Sequence, residues 1–114
     1  MNNKGALAEQ RAARYLQEQG LKLVEQNYRN RFGEIDLIMQ DGATLVFVEV
    51  RQRRNADFGG AAASIDIYKQ QRIIRASQLY LSGLAHTPAC RFDAVLYCGR
   101  PGEAAQWLKS AFDA

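Results

Sequence analysis

Hydrophobic and polar positions change period along the chain, and each change marks an element. In "KGALAEQRAARYLQEQG" (4–20), Ala6, Ala13 and Leu16 recur at helical spacing, which predicts an amphipathic helix with Gly20 as its stop. "LKLVEQNYR" (21–29) predicts a short strand. "GEIDLIMQ" (33–40) and "ATLVFVEVRQR" (43–53) predict two more strands, joined at Asp41-Gly42, a strong hairpin signal. "RNADFGGAAA" (54–63) reads as a connecting loop, and "DIYKQQRIIRASQLYLSG" (66–83) as a second helix, with Asp66 as N-cap and Gly83 near its end. "RFDAVLYC" (91–98) predicts a strand, "GRPG" a turn, and "AQWLKSAF" a short strand or a final turn of helix. Helix, three-strand meander, helix, then one or two strands describe an α/β fold, one sheet flanked by helices. A single domain over residues 1–114 follows from the length, which leaves no room for two cores.

The hairpin brings acids together. With Asp41-Gly42 as the two-residue loop, Gln40 faces Ala43, Asp36 lies opposite Phe47, and Glu34 lies opposite Glu49. Strand side chains alternate, so Glu34, Asp36, Glu49, Arg51 and Arg53 share one face. Ile35, Leu37, Val46, Val48 and Val50 collect on the other as a core surface. Like charges directly across a strand pair destabilise it, so the acids need compensation. Glu9 is a fourth acid, with Ala12, Ala13 and Leu16 as its helical neighbours. It either sits solvated at the edge of the buried stripe or faces the same cluster.

Composition changes this picture only modestly. The chain is 47% hydrophobic and 24% charged, which excludes a disordered protein. Its net charge of +3 is compatible with nucleic acid without establishing it, and eleven of its fifteen basic residues are Arg, suited to bidentate phosphate contacts. No apolar run approaches a membrane span, the N-terminus lacks a signal-peptide core, and Cys90 and Cys98 form no CxxC pair. A cytoplasmic location with free thiols and no zinc site is the expectation. Clustered carboxylates then allow two readings. One is an Mg²⁺ or Mn²⁺ site that activates water against a phosphodiester, with neighbouring arginines on the phosphate oxygens. The other is an ion-pair face in which Arg51 and Arg53 neutralise Glu34 and Glu49.

Seven blocks carry a resemblance: Gly5-x-x-x-Glu9, "NYR" (27–29), "GEIDLI" (33–38), "VFVEVR" (46–51), "FG" (58–59), Lys69 and "RFDAV" (91–95). Together they resemble the YraN family, a bacterial group placed in the PD-(D/E)XK nuclease superfamily near archaeal Holliday junction resolvases. The resemblance spans essentially the whole chain and implies a restriction-endonuclease-like core that cuts branched or structured DNA with Mg²⁺ or Mn²⁺. It also implies a homodimer, since the resolvase relatives act as symmetric dimers. By position, Asp36 and Glu49 correspond to the metal-binding acids, Glu9 to the helix acid of the resolvase branch, and the Val50 carbonyl to a further metal ligand. Glu34 has no assured counterpart and is an accessory candidate. Arg51 stands where the E-x-K tripeptide has its catalytic lysine. Arginine supplies the electrostatics of that lysine but cannot act as a general base. Lys69 is a candidate substitute from a neighbouring helix, against its plain reading as a solvated first-turn residue. A catalytically inactive nucleic-acid-binding or adaptor module with the same fold is therefore the alternative function.

Weaker signals complete the set. Arg29, Arg31, Arg53 and Arg54 are candidate phosphate contacts, and Tyr28 beside them either stacks on a base or caps its strand. Tyr15, Tyr68 and Tyr80 suit helix packing, Trp107 and Phe112 suit core closure, and His86 reads as a solvated loop residue. Asp93 sits on a strand expected to adjoin the site, or pairs with Arg91 or Arg53.

Overall fold

The computed structural model describes residues 3–52, 65–97 and 105–114. Helix α1 (Asn3–Glu18) leads into strands β1 (Lys22–Asn30), β2 (Gly33–Asp41) and β3 (Thr44–Gln52). Helix α2 (Ile67–Ser82) follows, then β4 (Ala89–Tyr97) and β5 (Gln106–Phe112). The strands form one sheet in chain order, antiparallel except for β3 and β4, which are parallel. That parallel pair requires a crossover, and α2 supplies it. The result is the expected α/β architecture, a single mixed sheet flanked by two helices. The C-terminal segment resolves as a strand.

Local chemistry sets the helix ends. Gly20 has φ 100° and closes α1 in a Schellman turn, in which Gly20 N–H donates to Gln17 and Leu21 N–H to Leu16. Asp66 caps α2 by accepting the Lys69 N–H at 2.8 Å, and Gly83 ends it.

Each helix covers one face of the sheet. Ala8, Ala12, Ala13 and Leu16 of α1 pack on Leu37, Met39, Val46, Val48 and Val95. Ile73 and Ala76 of α2 pack on Ile35, Ile38, Leu45, Phe47 and Phe92. The small alanines let both helices lie close, and β2 to β4 are buried on both sides, as strands beneath helices are. Trp107 and Phe112 join the two cores as expected, edge-on to Tyr15 and stacked on Phe92 respectively. Tyr15 and Tyr80 pack too, whereas Tyr68 is 70% exposed, so helical spacing misplaced it. No helix among the described residues is long and apolar enough to cross a membrane.

Two expectations about the hairpin are corrected. Asp41 pairs with Thr44, so the loop is Gly42-Ala43, with Gly42 at φ 60° as the first loop residue of a II′-type turn demands. Leu37 then pairs with Val48 as the last pair of that register, and Phe47 faces Ile38 in place of Asp36. Ile35, expected beside Leu37, belongs to the α2 core instead. The alternation of β2 slips between them, and the pairing with β3 stops at Leu37–Val48 although both strands continue.

Candidate functional site

Where β2 and β3 stop pairing, their carboxylates enter the gap between the two helices. Asp36 is 8% exposed and accepts the Val50 N–H at 2.9 Å, a bond that ties the unpaired end of β2 to β3. Glu9 reaches in from α1 and Glu34 from the start of β2. One oxygen from each of Glu9, Glu34 and Asp36 lies within 4.8 Å of the others. Glu49 borders this trio beside Asp36, and its Oε2 lies 3.3 Å from Lys69 Nζ.

This packing of acids has an electrostatic signature. Burial, followed by the Asp36 and Glu34 charges, pushes the Glu9 carboxyl from 4.5 to about 7. Burial and then Asp36 push Glu49 up to about 9, while Lys69 and Arg51 pull it down without winning. Both shifts have the same cause, carboxylates crowded around Asp36 with too little positive charge beside them, and a bound cation would relieve it. Glu9 Oε1 is buried with no hydrogen-bond partner. An oxygen-only donor set, crowded to this degree and holding an orphaned acceptor, fits a hard divalent cation such as Mg²⁺ or Mn²⁺.

A cleft of about 420 Å³ opens over the acids, with Glu34 and Asp36 in its wall and Arg29, Arg31, Lys69 and Arg72 around it. The ion pairs differ from the expected face: Glu34 pairs with Arg29 at 3.0 Å and Glu49 with Lys69, in place of Arg51 and Arg53. Arg51 Nε is buried without a partner. Arg53 and Arg54, with the "FG" block at 58–59 and Cys98, lie outside the described residues. Lys69 is brought to the acids from α2, where the solvated reading would have left it free.

Other candidates fall elsewhere. Tyr28 turns its ring edge to Tyr80 at 5.1 Å and accepts a hydrogen bond from Asn30, so it packs and does not line the cleft. Phe32 and Arg72 do line it and escaped the sequence reading, because nothing local distinguishes a turn aromatic or a helix arginine that faces a site. His86 and Cys90 are exposed. Asp93 is fully buried in a network of its own, accepting from Arg91 Nε, Trp107 Nε1 and the Ser110 N–H, while Arg91 also holds Asp41 at 2.9 Å. It pins the irregular step between β4 and β5, where Ser110 sits at φ 53°.

Comparison with known sequences places the chain. Relatives from Nitrosospira multiformis and Nitrosomonas europaea are 54% and 56% identical, over 96% and 97% of this chain and 92% and 94% of their own lengths. A third, from Methylobacillus flagellatus, is 50% identical over the full length of both. All three are named only as UPF0102 proteins. Residues 8–97 match the family described as uncharacterised protein family UPF0102, and the chain belongs to that family.

Proposed function

We propose that this protein is a PD-(D/E)XK-type nuclease-fold protein that binds branched or structured DNA and hydrolyses its phosphodiester bonds with Mg²⁺ or Mn²⁺. The observation that carries the reading is the convergence of Glu9, Glu34 and Asp36 within 4.8 Å, with Glu34 and Asp36 in the wall of a cleft bordered by four cationic side chains. Acids of that density repel a polyanion by themselves, whereas acids holding a metal beneath a basic rim attract one. Asp36, Glu9 and Glu34 are the first candidates to hold the ion, with Glu49 and the Val50 carbonyl beside them. A bound divalent ion would supply an activated water and polarise the phosphodiester. The chain supplies the rest. Arg29, Arg31 and Arg72 orient phosphate oxygens, and Lys69 with Arg51 offers positive charge to the developing oxyanion. Lys69 beside Glu49 favours the enzyme over the inactive module, because it restores the lysine that position 51 lacks. A homodimer would suit a two-fold symmetric junction.

Purified protein incubated with four-way junction, flap, single-stranded and duplex DNA, with Mg²⁺ or Mn²⁺, tests the reading beside Asp36→Ala. Metal-dependent cutting that disappears in the variant is expected. Salt-sensitive binding without cutting would favour the adaptor, and neither binding nor cutting would reject both.

A further inference from the structure

The turn between β1 and β2 is fastened to α2 and presents an aromatic ring beside the acids. Asn30 Nδ2 donates to the Ala76 carbonyl of α2 at 3.1 Å, and Asn30 Oδ1 accepts the Phe32 N–H at 2.9 Å. Gly33 lies so near the Arg72 backbone that a Cβ there would stand 3.2 Å from the Arg72 carbonyl oxygen. Phe32 is nevertheless 37% exposed, although an aromatic in a clamped turn beside a helix has apolar surface within reach. Its ring lines two hollows at once. One is the acid-bearing cleft, and the other, of about 410 Å³, runs along α2 past Arg75 and Leu79. The Arg31 guanidinium lies 4.8 Å from the ring centroid and adds positive charge to the platform.

We infer that Phe32, backed by Arg31, is a stacking platform for an unpaired base, so that the favoured substrate carries a single-stranded segment next to the phosphate held at the acids. The inference rests on the nuclease-fold reading and names its substrate class. Arg72 and Arg75 stand along α2 on either side of the ring, which places phosphate-binding charge before and after the stacked nucleotide. A duplex keeps its bases stacked on one another and offers Phe32 no free face. A flap or a gap offers one.

The test compares binding of a single-stranded oligonucleotide and the matching duplex by fluorescence anisotropy, in wild type, Phe32→Ala and Phe32→Trp. Phe32→Ala should weaken single-strand binding roughly 5- to 150-fold, the value of one stacked base, and leave duplex binding within about twofold. Phe32→Trp should restore the single-strand affinity, which a merely damaged turn would not allow. Equal loss on both ligands, or no loss on either, would overturn the platform while leaving the nuclease-fold reading standing. Wild-type protein that binds neither ligand would overturn both.

Discussion

Glu49 offers the sharpest test of the electrostatics. Its carboxyl is 5% exposed and pushed up to about 9, so the metal-free native state keeps a proton that the unfolded chain has already lost above 4.5. Stability therefore falls as pH rises from 4.5 to about 9, by at most about 1.4 kcal/mol per pH unit for the one proton. Glu9 adds a second loss that is largely complete by about 7, so above that pH the slope belongs chiefly to Glu49. Between about pH 7 and 8.5 the wild type should lose about 2 kcal/mol, or about 8 °C in Tm for a domain of this size. Glu49→Gln imitates the protonated acid, so its stability should stay nearly flat over that window. Thermal unfolding followed by circular dichroism, with EDTA present, reads both slopes. Parallel losses in wild type and variant would show that Glu49 is already ionised in the native protein, and the reasoning would be wrong.

Three further outcomes follow from particular contacts. Asp93→Ala leaves Arg91, Trp107 Nε1 and the Ser110 N–H without their shared acceptor, and urea unfolding should show a loss of about 3–5 kcal/mol. Gly33→Ala drives a methyl group toward the Arg72 carbonyl and should cost about 1–3 kcal/mol by the same measurement. Arg72→Ala should weaken binding to every DNA tested and flatten the dependence of log K on log salt by about 1; an unchanged slope would remove Arg72 from the phosphate path.

Much of the site was legible in the pattern, and the limits of that legibility are physical. Asp36 and Glu49 came out on one strand face because a two-residue period puts them there under either hairpin loop. The same period cannot choose between the loops. Moving the turn from Asp41-Gly42 to Gly42-Ala43 shifts the pairing by two residues in sum, and every side chain keeps its face. Only the φ of Gly42 and the pairing of Asp41 with Thr44 in the folded chain select the register that pairs Leu37 with Val48.

By itself, the sequence determined the elements up to β4, the helix caps, the order and the family, because hydrophobic period and capping chemistry act within a few residues. Tertiary structure decided what meets across the gap. Glu9 joins Asp36 only because α1 lies on the sheet through its alanines, and Lys69 reaches Glu49 only because α2 crosses the other face. Ile35 left the expected face, and Phe32 became a surface feature, once the β1–β2 turn docked on α2. Periodicity assigns a residue to a side of its own element. How two elements pack decides what that side touches.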